Sequence, residues 1–130
     1  MNKEEFIESL KEMNINPTQE QLIKLDKFYE LLVEWNQKIN LTRIIEEEDV
    51  YLKHYYDSLT INKVIDLNNV KTLCDVGTGA GFPGIVLKIA FPNIKITLID
   101  SLQKRVNYLN EIIKELDLKD IAAIHTRGED

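Results

Sequence analysis

The sequence predicts an α/β fold in which a helical extension precedes a parallel, doubly wound sheet. Three observations carry that expectation. Apolar residues step by three and four along the first third of the chain, and short apolar runs alternate with helical periods beyond about residue 70. A glycine cluster closes the first of those runs, where open α/β sheets bind ligands.

Each element has its own signal. Phe6, Leu10 and Met13 form a short amphipathic stripe, and Asn14 to Pro17 interrupt it. Thr18 followed by Gln21 is a capping-box signature. Leu22, Leu25, Tyr29, Leu32, Trp35 and Ile39 then predict a stable helix from about 18 to 39, with core roles for Tyr29 and Trp35. Glu20–Lys24 and Glu34–Lys38 are i, i+4 pairs on its other face. Glu46 to Asp49 suit the N-terminus of a third helix carrying Val50 to roughly Leu59. Thr72 to Val76 reads as a buried parallel strand, with Cys74 a small core residue inside it. A helix from about Pro83 to Phe91 follows, stopped by Pro92 and Asn93. Ile94 to Asp100 is a second strand. Ser101 is the expected N-cap of a helix bearing Leu102, Val106, Leu109, Ile113 and Leu116. A third strand runs from Ile121 to about His125. The boundaries expected are 1–68 for the helical extension and 69–130 for the first half of an α/β core.

Composition narrows the class. The 130 residues are 44% apolar and 29% charged, as in ordinary globular proteins. Five glycines and three prolines exclude collagen-like or low-complexity chains. The single cysteine excludes an internal disulfide framework and suits a reducing, cytoplasmic compartment. A net charge of −6 argues against indiscriminate attraction to polyanions. No apolar run approaches the ~20 residues of a membrane span, and the first residues lack a signal peptide's apolar stretch. Three strands also fall short of a finished doubly wound sheet, which needs about twice that length. The chain therefore reads as a fragment, expected to be inactive alone.

The informative stretch is Asp75-Val76-Gly77-Thr78-Gly79-Ala80-Gly81-Phe82-Pro83-Gly84. Glycines there permit positive φ and close approach of a ligand to backbone, and the helix behind them offers free N–H groups to an anion. Gly79-x-Gly81-x-x-Gly84 satisfies the dinucleotide spacing, but the first glycine after the strand is Gly77. Counted from Gly77, bulky Phe82 occupies the third fingerprint position, and Asp75 would repel a pyrophosphate. S-adenosyl-L-methionine fits better, its ammonium facing Asp75 and its carboxylate meeting loop amides. Asp100 ends the second strand and is placed to accept hydrogen bonds from ribose hydroxyls, a device that dinucleotide enzymes share. A dinucleotide site and a purely structural glycine turn remain the alternatives.

Four spaced segments resemble one family. They are Leu31-Leu32-Val33-Glu34-Trp35-Asn36 with Asn40-Leu41-Thr42; His54-x-x-Asp57-Ser58-Leu59; the glycine loop; and Asp100-Ser101-Leu102-x-Lys104-Arg105. Together they are similar to the bacterial small-subunit (16S) ribosomal RNA guanine-N(7) methyltransferases, also called the glucose-inhibited division protein B family. The resemblance runs from about residue 22 to the end of the chain. It implies a Rossmann-like class I methyltransferase core and methylation of ring nitrogen 7 of a guanine. It also implies S-adenosyl-L-methionine as cofactor and ribosomal RNA or the small ribosomal subunit as partner, with no membrane, no metal and a monomeric state. Gly77 and Phe82 match cofactor-binding loop positions, and Gly128 and Glu129 match positions bordering the adenine. Gly79, Gly81, Asp75 and Asp100 complete the expected cofactor set. His54 and Asp57 would line the target-base side of the cleft, the alternative being a helix-packing or capping network. A methyltransferase acting on a small molecule or protein, and a non-catalytic nucleotide-binding module, are the competing functions.

The remaining inventory is thin. No metal-ligand spacing or nucleophile elbow is present, and Cys74 inside a strand does not suit attack on a pyrimidine carbon. A guanine ring nitrogen needs neither nucleophile nor metal, because its lone pair attacks directly and no proton must first leave. Alignment of the reactants would be the main catalytic device. Arg43, Lys53, Lys104 and Arg105 are candidate phosphate contacts, with simple solvation as the alternative.

Overall fold

A computed structural model describes residues 1–126. Helix α1 (Lys3–Glu12) opens on a capping box between Asn2 and Glu5. Helix α2 (Gln19–Asn36) opens on the expected Thr18–Gln21 box and ends at Asn36, about a turn short of the expected limit. The Gln21 amide also donates to the Ile89 carbonyl at 3.0 Å, tying the start of α2 to the sheet's first helix.

The third helix differs from expectation. It is a rod of changing pitch: α3 (Glu47–Asp49), a π-helix (Val50–Tyr56), α4 (Asp57–Leu59) and a 3-10 turn (Thr60–Lys63). A π-helix closes i→i+5 hydrogen bonds and is rare, usually a single turn near a functional site. Val50, Tyr51, Tyr55 and Leu59 are its buried side chains, and they point inward on one face. Their ring contacts fix that face. Phe6 meets Tyr51 edge-on at 5.1 Å, and Phe28 stacks on Tyr55 at 5.8 Å.

A 3-10 turn (Leu67–Asn69), capped by Asp66, leads into the sheet. Strands β1 (Thr72–Val76), β2 (Lys95–Asp100) and β3 (Ile121–His125) alternate with α5 (Gly84–Ala90) and α6 (Gln103–Glu115). The strands are parallel in the order β1-β2-β3, with Asp75 opposite Leu98 and Asp100 opposite His125. This is the α/β architecture that the sequence predicts. One connected cluster of buried side chains runs from Phe6 and Leu10 through Leu32 and Leu59 to Leu98 and Ile112. No helix among the described residues is long and apolar enough to cross a membrane.

Two further expectations fail. Cys74 is exposed and β1 is not fully buried, because α5 and α6 cover only one face of the sheet. On the other face Thr72, Cys74, Val76, Ala122 and Ile124 are all exposed. Ser101 does not cap α6 either. Leu102 holds the cap position with no side-chain cap bond, and its N–H donates to Asp100 Oδ1 at 3.0 Å in a local turn that precedes the helix.

Candidate cofactor and acceptor site

The glycine loop leaves the carboxyl end of β1 and enters α5. The N–H groups of Gly77 and Thr78 donate to the Ile99 carbonyl at 2.8 and 3.2 Å, which prolongs the β1–β2 pairing into the loop. Asp75 Oδ2 then accepts the Thr78 hydroxyl at 2.6 Å and the Gly84 N–H at 3.0 Å, bridging the loop's two ends. Asp100 is 2% exposed, and its Oδ2 accepts the Gly79 N–H at 2.9 Å. The Arg105 guanidinium lies 3.6 Å from Asp100 Oδ1. The buried Tyr108 hydroxyl donates to the Ala80 carbonyl at 2.8 Å. Burial pushes the Asp75 carboxyl above its ordinary range; the Thr78 and Gly84 hydrogen bonds pull it back, and the Asp100 charge pushes it up again.

The glycines divide into two pairs. At Gly81 a Cβ would stand 2.7 Å from Ile85 Cγ1, and at Gly84 it would overlap Leu98 Cδ2. Those two are glycine because protein fills the space. Gly77 and Gly79 have φ of +71° and +59°, and nothing lies within 4 Å of where their Cβ atoms would stand. Their backbone is bare on its outer side, at the strand ends where α/β sheets take ligands. That arrangement fits a cofactor that approaches the loop backbone closely. Asp75, Gly77, Gly79, Gly81, Phe82 and Asp100 thus form one unit, with one oxygen of Asp75 and both of Asp100 already engaged by the protein. A carboxylate has about four lone-pair sites, so each retains acceptor capacity. Gly128 and Glu129 lie outside the described residues.

Phe82 turns its ring away from the sheet and into the helical region. It stacks on His54 with centroids 4.2 Å apart and planes 8° from parallel, and it lies 5.5 Å from Phe28 and 6.2 Å from Tyr55. A contact of Phe82 with a cofactor would therefore come from its backbone. His54 is held in turn. Its Nε2 lies 2.9 Å from Thr42 Oγ1, which also accepts the Ile44 N–H at 3.1 Å. Asn36 Oδ1 accepts the N–H groups of Leu41 and Thr42 at 2.8 and 3.0 Å. His54 bonds to Thr42 and not to Asp57. Burial pulls the imidazole below its ordinary value, and the Asp57 charge partly offsets that.

A cavity of about 360 Å³ lies between the rod and the loop, lined in part by Lys53, His54, Asp57, Thr60, Phe82 and Pro83. It offers two aromatic rings, a carboxylate and a lysine. Among the candidate phosphate contacts, Arg43, Lys53 and Lys104 are exposed, whereas Arg105 is committed to Asp100. Trp35 packs edge-on against Tyr108 at 5.8 Å, as a core role requires. Tyr29 lies partly buried beside the core. Among the described residues no group of three or more His, Cys, Asp or Glu is arranged to hold a metal. Sequence reasoning missed Tyr108, whose tie to Ala80 crosses from α6 to the loop and leaves no local signal.

The GidB family, described as rRNA small subunit methyltransferase G, matches residues 21–130. The ribosomal RNA small subunit methyltransferase G of Exiguobacterium sibiricum is 50% identical over 130 residues, covering 100% of this chain and 55% of that protein. The proteins of the same name from Bacillus cytotoxicus and Staphylococcus aureus are 50% and 51% identical over 129 residues, covering 99% of this chain and 54% of each relative. The chain thus spans about half the length of the curated relatives it matches. The matched span takes in the Asn36–Thr42 segment, the His54 rod, the glycine loop and the Asp100 strand. The chain belongs to the GidB family of small-subunit ribosomal RNA methyltransferases G.

Proposed function

We propose that this chain supplies the cofactor-binding half of an enzyme that methylates ring nitrogen 7 of a guanine in 16S ribosomal RNA, using S-adenosyl-L-methionine. The observation that carries the reading is the bare, positive-φ backbone of Gly77 and Gly79, held by Asp75 through the intervening Thr78 hydroxyl and by Asp100 through the Gly79 N–H. Family membership supports the same chemistry. Residues 1–68 would form the helical extension and residues 69–130 the first half of the core.

The cofactor would supply an electrophilic methyl group on a sulfonium. Gly77, Gly79 and Gly81 would leave room for it against the loop, and the backbone of Phe82 would close one side. Asp75 would attract its ammonium, and the free lone pairs of Asp100 would accept ribose hydroxyls. Gly128 and Glu129 would border the adenine. On the acceptor side, His54 and Asp57 would face the base, and Lys53 would meet a phosphate. No general base is required, since the reacting nitrogen carries a lone pair and loses no proton; what the protein would contribute is alignment of the two reactants. RNA would be recognised by shape and by a splayed base rather than by a basic surface. The protein would act as a monomer in the cytoplasm, on ribosomal RNA or the small subunit.

The net charge of −6 favours a second reading, a methyltransferase for a small molecule or protein. Titration calorimetry with S-adenosyl-L-methionine and with NAD tests the cofactor. Binding of the former alone supports the proposal, and binding of NAD alone overturns it. Methyl transfer to free metabolites but not to small ribosomal subunits would favour the second reading.

A further inference from the structure

Four motif residues that are far apart in sequence form one chain of contacts. Asn36 closes the end of α2 by accepting the N–H groups of Leu41 and Thr42 at 2.8 and 3.0 Å. This fixes the Thr42 hydroxyl against His54 Nε2 at 2.9 Å. The His54 ring lies flat on Phe82 at 4.2 Å, and Phe82 is the last residue before the proline that leads into α5. His54 lies in the π-helix beside Tyr51 and Tyr55, which are buried in the aromatic core, while His54 is half-buried and faces the loop through Phe82.

We propose that His54 is a positioning residue for the cofactor loop. It transmits the geometry of the Asn36–Thr42 corner to Phe82, and through Phe82 to the backbone of Gly77–Gly81. The inference rests on the reading of that loop as the cofactor cradle and adds how its shape is held. Asp75 bridges the two ends of the loop through Thr78 and Gly84, and Asp100 and Tyr108 hold its middle, all from the sheet region. The Phe82 side chain adds the loop's stacking contact with the helical region. The requirement is for a flat ring at position 54 with a hydroxyl behind it, so the position has a steric and an orienting component that separate variants can dissect.

Amide hydrogen exchange in the whole chain tests this without any ligand. In His54→Ala the amides of Gly79, Gly81 and Phe82 should exchange about tenfold faster, equivalent to ~1.4 kcal/mol, while those of Ile96 and Leu98 stay unchanged. His54→Phe restores the stack and should recover most of the protection. Thr42→Val, which keeps the ring and loses the hydroxyl, should fall between them. Leu10→Ala, a core truncation in α1, serves as the destabilised control and should lower Tm without singling out the loop. Calorimetry on the same proteins should show binding of S-adenosyl-L-methionine weakened about tenfold in His54→Ala and recovered in His54→Phe. Unchanged loop exchange in His54→Ala, or an equal rise at every amide, overturns the proposal. Absence of cofactor binding by the unsubstituted chain would overturn the functional reading instead, and the exchange data would still decide the role of His54.

Discussion

The two faces of the sheet are built from alternate residues of the same three strands, yet they have opposite fates. On one face Asp75, Ile96, Leu98 and Asp100 stand under α5 and α6, and the side-chain tethers of the glycine loop from Asp75 and Asp100 originate there. On the other, Val76 is 74% exposed and Ile124 47% exposed, with Cys74 beside them. The covered face holds apolar bulk at mid-strand and carboxylates at the strand ends, so one layer serves as both core and site. The open face carries apolar residues with no covering element among the described residues. Buried bulk and the carboxylates that hold the glycine loop are concentrated on one side of the sheet.

Substitutions can break or sharpen that contrast. Leu98→Ala removes a fully buried side chain from the covered face and should cost ~2–5 kcal/mol in urea unfolding; a loss no larger than that from an open-face change would abolish the distinction. Gly84→Ala forces a methyl into Leu98 and Asp75 and should cost ~1–3 kcal/mol, with loss of cofactor binding measured by calorimetry. The third test uses pH. His54 sits below its ordinary value of 6.5, so its neutral form is favoured in the fold. That contribution is present above pH 6.5 and is lost as pH falls through the lowered value. His54→Phe should therefore flatten the acid side of a Tm-against-pH curve, and an unaltered curve would refute the burial of that ring. Val76→Thr, on the open face, should change unfolding free energy by no more than ~0.5 kcal/mol. A larger loss would show that something covers it.

Much of this arrangement is legible in the sequence. The Thr18–Gln21 box and the stripe behind it specify α2, because capping and amphipathic spacing are local properties. The strands and glycine loop are equally plain, as are Asp75 and Asp100 at the strand ends. What stays hidden is set by distant partners. Val50, Tyr51, Tyr55 and Leu59 read as an ordinary helix, since their spacing suits an α-helical face equally well and the contacts of the two tyrosines with Phe6 and Phe28 come from distant elements. Cys74 reads as core because an apolar strand implies cover on both faces, and that cover is not a local property. Ser101 has the right chemistry for a cap, but the turn closed by Asp100 on the Leu102 N–H leaves Leu102 as the residue before the helix. Phe82 looks out of place in a glycine fingerprint until His54, from the preceding rod, is seen beneath it.

The contact between Trp35 and Tyr108 gives the molecule a built-in optical gauge. Trp35 is the only tryptophan, and it touches the ring whose hydroxyl holds the Ala80 carbonyl. Lys38 lies 5.0 Å above the indole, adding a charge to which its emission responds. A movement of the glycine loop that shifts Tyr108 changes the surroundings of that single fluorophore. Excitation of the native chain, with no label attached, therefore reads the state of the loop from the far side of α6.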